Sequence, residues 1–163
     1  MANGSAEERA VTDKQDISEL LTGGKADWIY SITTLAAPSN GTTAYGFGNP
    51  DEEVKNKDSA AYDMYIDNAM KINERISTQN CTYYFAIPCS STIKNEDGTY
   101  YADNNLTELI FRSSANEMGR LTGITPNGYV VDESWLENDG LVNTISAKAP
   151  SSVPSTNLDK NSI

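Results

Sequence analysis

Asp139 is the side chain whose neighbours best equip it to do chemistry. It lies in Trp135-Leu136-Glu137-Asn138-Asp139-Gly140-Leu141-Val142-Asn143-Thr144-Ile145-Ser146. Glu137-Asn138-Asp139-Gly140 gathers residue types that tolerate tight turns and left-handed backbone. Leu141, Val142 and Ile145 read as the start of a buried strand after that turn, with Trp135 and Leu136 as an apolar anchor before it. A carboxylate held between such anchors suits the orientation of a partner such as a histidine. The competing reading is that Asp139 only forms the turn, as most Asp-Gly pairs do.

The sequence contains no histidine. A Ser-His or Cys-His centre therefore cannot be built from these 163 residues alone, and the commonest ligand of a catalytic zinc is missing. No Gly-x-Ser-x-Gly elbow, phosphate-cradling loop, CxxC pair or His-Glu-x-x-His motif occurs. Cys81 and Cys89 flank Thr82-Tyr83-Tyr84-Phe85-Ala86-Ile87-Pro88. As a strand, at about 3.3 Å per residue, this run holds the two sulfurs roughly 26 Å apart. A disulfide needs alpha carbons within about 7 Å, so both thiols are expected to be free, or one to be paired with something outside these residues.

Composition excludes further classes. The 23 acidic residues outnumber 12 basic ones, for a net charge of -11, which argues against a phosphate-binding, nucleic-acid role. No apolar run approaches the length of a transmembrane segment, and nothing at the N-terminus resembles a signal peptide. A chain of 163 residues is enough for one domain with a sizeable core.

The elements that must position Asp139 follow from patterning. Ser5 to Leu21 is helix-prone and ends at Thr22-Gly23-Gly24-Lys25. Trp28 to Leu35 is dense in β-branched and aromatic residues, which predicts an internal strand of a mostly parallel sheet covered on both faces. Ala36 to Thr43 leaves it as a loop, and Ala44 to Lys57 is a short polar connection. Ile66, Ala69, Met70, Asn73 and Ile76 recur at helical spacing, predicting a helix over 66–77. Cys81 to Pro88 predicts a second buried strand with Tyr83, Tyr84 and Phe85 in the core. Ser90 to Asp103 reads as a hairpin turning at Asn95-Glu96-Asp97-Gly98. A short helix is expected around 106–114, and a turn-rich stretch from Gly119 to Gly128.

Several of these stretches resemble the bacterial lipases typified by the staphylococcal and thermoalkalophilic Bacillus-type enzymes. The run WLENDGLVNTIS at 135–146 looks like the catalytic-acid segment of that family, and YSITTLAAPSNGTT at 30–43 is similar to its strand and Thr-Pro-His-x-Gly-Thr-Thr loop, with Ser39 where the family has histidine. Asn80-Cys81-Thr82-Tyr83-Tyr84 resembles a family strand, and Asn3 to Arg9 resembles the segment after the helix that follows the nucleophile.

The resemblance implies a partial α/β-hydrolase fold: a mostly parallel sheet, a hairpin insertion and a shortened lid region. Residues 1–146 would form the incomplete lipase domain and 147–163 a flexible C-terminal segment rich in Ser, Pro and Asn. Asp139 takes the role of triad acid, with the nucleophilic serine and the catalytic histidine outside this chain. Two metal positions are implied as well. The backbone carbonyl of Asn105 matches a structural calcium (Ca2+) ligand. Asp58, in Asp58-Ser59-Ala60-Ala61-Tyr62-Asp63, matches the first aspartate of a zinc (Zn2+) site, although on its own it is equally a residue favoured at a helix N-terminus. The implied substrate is a lipid ester at an interface, the implied partners are the missing parts of the same polypeptide, and the implied location is extracellular. A non-catalytic scaffold or binding module derived from a lipase, and an acidic calcium-binding domain, remain as alternatives.

Overall fold

The computed structural model describes residues 28–76, 78–151 and 153–156. The helix-prone segment over 5–21, the family-like run at 3–9 and residues 157–163 lie outside the described residues.

β-Branched and aromatic runs make the first pairing. β1 (Ser31–Leu35) and β2 (Tyr83–Ile87) lie parallel, in register from Ser31 opposite Tyr83 to Leu35 opposite Ile87. The ladder runs on through a hydrogen bond from Ala36 N to Ile87 O at 2.9 Å. Parallel pairing agrees with the sequence; burial on both faces does not. Ile32 is buried, but Leu35 is 69% exposed, Tyr83 57% and Ile87 51%. Tyr83 and Phe85, expected in the core, stand on this open face, because no described element covers it. Their rings pack on one another instead, with centroids 5.3 Å apart for Tyr30 and Tyr83 and 6.5 Å for Tyr83 and Phe85.

A long connection crosses between the two strands. Pro50 fixes the first turn of α1 (Pro50–Glu53), and the Asn49 side chain caps it by accepting from Asp51 N. The Ser59 hydroxyl caps α2 (Ala60–Met64). α3 (Ile66–Arg75) is the amphipathic helix that the apolar spacing predicts. Its Ile66 joins Val131 and Trp135 in the core, with Phe47, Met70, Tyr129 and Ile145 packed against them.

The hairpin forms where the turn residues place it. β3 (Thr92–Lys94) and β4 (Tyr100–Ala102) are antiparallel, and Gly98 takes φ +91° in the turn between them. The predicted helix arrives a few residues late, as a 3-10 turn (Leu109–Phe111) leading into α4 (Arg112–Met118). The delay has a cause: Asp103 O accepts from Thr107 N at 2.7 Å and the Thr107 hydroxyl donates to Ser91 O at 2.6 Å, holding 103–107 as a turn. β5 (Gly123–Ile124) and β6 (Val130–Val131) close a second small hairpin, and a 3-10 turn (Glu133–Trp135) leads to Asp139. Among the described residues the strands thus make three two-stranded pairs, one parallel and two antiparallel, in place of one mostly parallel sheet.

Candidate active site

The strand expected after the Asp139 turn does not form. Residues 139–148 run through bends and turns, with a single antiparallel bridge between Asn138 and Asn143. Two fully buried asparagines brace the turn on either side of Asp139. Asn138 donates through Nδ2 to Ala115 O (3.2 Å) and Leu136 O (2.9 Å) and accepts from Gly140 N (2.8 Å). Asn143 donates to Trp135 O (2.6 Å) and the Thr43 hydroxyl (2.8 Å) and accepts from Thr43 N (2.9 Å). The N–H groups of Leu141 and Val142 are taken by the Asp139 side chain and Leu141 O by the Thr42 hydroxyl, so side chains compete with a strand ladder for them. Trp135, Leu136 and Val142 are buried as expected, while Leu141 is half exposed. Gly140 has φ +94°, and a Cβ there would meet Phe111 Cβ at 2.9 Å.

Asp139 sits between these two braces, half-buried. Its Oδ1 accepts from Leu141 N at 2.9 Å and Val142 N at 2.7 Å. Among the described residues its Oδ2 takes no hydrogen bond. One carboxylate oxygen is therefore spent on fixing the rotamer, and the other is free to receive a donor from outside.

The loop that leaves β1 is tied to this turn by a buried polar network. Asn40 N donates to the Ser146 hydroxyl (3.0 Å), which donates to Gly41 O (2.6 Å). Thr42 Oγ1 donates to Leu141 O (2.6 Å), and Asn40 Nδ2 to Ala149 O (2.8 Å). α3 joins through Asn73, whose Nδ2 reaches Ser39 O and Asn40 Oδ1. Packing also continues past Ser146, since Ser151 N donates to Asn40 Oδ1 at 2.7 Å. The two stretches with the sharpest resemblance, 30–43 and 135–146, thus meet in space. Ser39, which stands where the family has histidine, is buried beside Asn73.

Sequence reasoning singled out Asp139 and missed Asn138, Asn143, Thr43 and Ser146. Their types were a signal only in combination: small amides and hydroxyls crowd both stretches, and buried polar groups must find one another.

The other candidate positions are not brought to Asp139. Asp58 is exposed, just before the Ser59 cap of α2, and its N–H donates to Asn56 Oδ1. Asn105 is exposed in a turn where its N–H donates to Asp103 Oδ1, and the Arg112 guanidinium donates to the neighbouring Asn104 carbonyl at 2.7 Å. A guanidinium so close opposes a dication. Among the described residues no three of His, Cys, Asp and Glu gather to hold a metal. These residues do not by themselves fit either calcium or zinc. Cys81 and Cys89 are both free, as their spacing predicts.

No family model matches the chain. Individual proteins do. A lipase of Staphylococcus hyicus is 26% identical over 90% of this chain, and lipase 2 of Staphylococcus aureus (strain MSSA476) is 28% identical over 97% of it. This chain spans 28% and 29% of those two proteins, little more than a quarter of their length. Among solved structures, EstA from Clostridium botulinum superposes with a TM-score of 0.75 at 23% identity, covering 91% of this chain and 50% of EstA. The Staphylococcus hyicus lipase structure gives 0.65 at 24% identity, covering 84% of this chain and 45% of that one. The fold is of the α/β-hydrolase type that these structures share, and the chain is a relative of the staphylococcal lipases.

Proposed function

We propose that this chain is the part of a lipase or carboxylesterase that supplies the triad acid, Asp139, while the nucleophilic serine and the histidine come from outside it. The observation that supports this reading is the division of labour between the two oxygens of Asp139. Leu141 N and Val142 N hold Oδ1, and Oδ2 of this half-buried residue is left without a donor among the described residues. A histidine brought to Oδ2 would donate its ring N–H there. The carboxylate would then set the tautomer that leaves the other ring nitrogen free to take the serine proton, and would stabilise the imidazolium once formed. It would not itself take the proton. The substrate would be a lipid ester met at an interface, and the parent protein would be exported, as the resemblance implies.

The test is a longer protein containing this chain, assayed on p-nitrophenyl esters with and without Asp139→Asn. The amide can still receive the two backbone N–H groups through its oxygen, so the fold survives, but it presents an N–H where the histidine needs an acceptor. Turnover falls roughly ten-thousandfold with KM little changed, the size of effect seen when a triad aspartate becomes an amide. The 163-residue chain on its own hydrolyses none of these esters. Ester turnover by the isolated chain, or a longer protein indifferent to Asp139→Asn, would remove the assignment and leave the scaffold reading.

A further inference from the structure

A groove beside the hairpin offers observations independent of Asp139. α4 and the β3–β4 hairpin enclose a groove of about 520 Å³, lined in part by Asp97, Tyr100, Asn104, Arg112, Asn116 and Arg120. Its floor is fixed. Tyr100 N donates to Gly119 O at 2.7 Å, and Ala102 N to Asn116 Oδ1 at 2.8 Å. That second bond turns the Nδ2 of Asn116 into an unused donor. Both guanidiniums are pinned by one edge to main-chain carbonyls. Arg112 Nε donates to Thr107 O (3.0 Å) and its Nη2 to Asn104 O (2.7 Å), and Arg120 Nε donates to Asn116 O (2.8 Å). Arg112 Nη1 and both Nη groups of Arg120 take no acceptor among the described residues. Neither arginine forms an ion pair there, although the chain carries 23 acidic residues. Lys94 adds a third cation at the margin, 5.9 Å from the Tyr100 ring centroid.

Asp97 is the acid that lines the groove, and it is already engaged. Its Oδ1 accepts from Thr99 N (2.9 Å) and the Thr99 hydroxyl (2.6 Å), bonds that hold its carboxyl below the usual carboxylate range. It shares the lining of the groove with the arginines, and its Oδ1 is occupied by Thr99.

We propose that this groove binds an oxyanion, with the open N–H groups of Arg120, Arg112 and Asn116 as its donors. Guanidiniums pinned along one edge lose little side-chain freedom when they take a ligand, and planar N–H pairs match the spacing of phosphate oxygens. A net charge of -11 leaves the rest of the surface unattractive to anions, so a saturable anion response would be local.

The probe is inorganic phosphate, titrated calorimetrically into the 163-residue chain at constant ionic strength set with chloride. Saturable binding near about 1 mM is expected, weakened at least about tenfold by Arg120→Gln and unaffected by Arg75→Gln, which removes an equal charge at the end of α3. Arg112→Gln is a poorer test, because the loss of its two carbonyl bonds would loosen residues 104–107. Circular dichroism establishes that Arg120→Gln is folded. No saturable phosphate response, or one that Arg75→Gln weakens as much as Arg120→Gln, overturns the proposal. Where phosphate binds, phosphatidylcholine vesicles with and without phosphatidic acid name the source. Sedimentation with the acidic vesicles that depends on Arg120 identifies a lipid headgroup, and its absence identifies the free anion.

Discussion

The two ends of β1 are built by different rules. At the C-terminal end, the loop through Ser39–Thr43 is fastened to the Asp139 turn by buried asparagine, threonine and serine side chains. Along the strand itself, one face of the β1–β2 pair lies open, with Leu35, Tyr83, Phe85 and Ile87 exposed. The first region pairs its buried polar groups within itself. The second presents apolar side chains and strand edges with no described partner, the kind of surface that other protein covers or that associates non-specifically. The turn that carries Asp139 can thus be fully braced while the sheet beside it lies open.

The difference can be broken from either side. The largest effect is on chemistry. Asp139→Asn in the longer protein removes about four orders of magnitude of turnover without a matching loss of stability. Next comes the brace. Asn143→Ala leaves Thr43 N and Trp135 O buried without their partner, and urea unfolding should show a loss of about 3 kcal/mol.

Tyr65→Phe is smaller. The Tyr65 hydroxyl donates to Glu53 Oε2 at 2.8 Å, and removing it costs about 1 kcal/mol near neutral pH. Burial first, and the Glu53 carboxylate second, push the Tyr65 phenol up from 10.0 to about 12. A group whose pKa is raised on folding contributes stability that is complete below its unfolded value and lost as pH climbs through the folded one. Wild-type stability should therefore fall between pH 10 and about 12, and the phenylalanine variant should lack that part of the fall.

The smallest effect belongs to the open face. Leu35→Thr keeps a strand-forming side chain and should shift the unfolding free energy of this chain by no more than about 0.5 kcal/mol. A loss of several kcal/mol there would mean that something covers the face and that the contrast is false.

Elements governed by local chemistry could be read from the sequence: the Asn95–Gly98 hairpin, the amphipathic α3, and two strand-forming runs that pair in parallel. Burial could not. Apolar richness in Tyr83-Tyr84-Phe85 says that a strand belongs against other protein, but it does not say whether that protein lies within the described residues. The 141–145 run failed for another reason. Leu141, Val142 and Ile145 do look like a strand, yet Asp139 Oδ1 takes Leu141 N and Val142 N, and the Thr42 hydroxyl takes Leu141 O, groups that a ladder would have used, while Asn138 and Asn143 brace the turn on either side. An isolated asparagine in a sequence is first of all a turn former, and nothing local marks the few that are sealed inside as brackets. Asp139 itself was legible because its neighbours were recognisable as a run, and its two amide donors are the local geometry of that same Asp-Gly turn.

One consequence follows from the free thiols at the two ends of β2. Cys81 is exposed at the near end, whereas Cys89 is half-buried at the far end, and its carbonyl receives the Thr144 hydroxyl at 3.0 Å. Nature has in effect placed two reporters on a single strand, one beside the open sheet and one wired to the turn that carries the carboxylate. Alkylation of the exposed Cys81 supplies the reference rate, and the slowing at Cys89 relative to it measures how seldom the far end opens, with no label added and no residue changed.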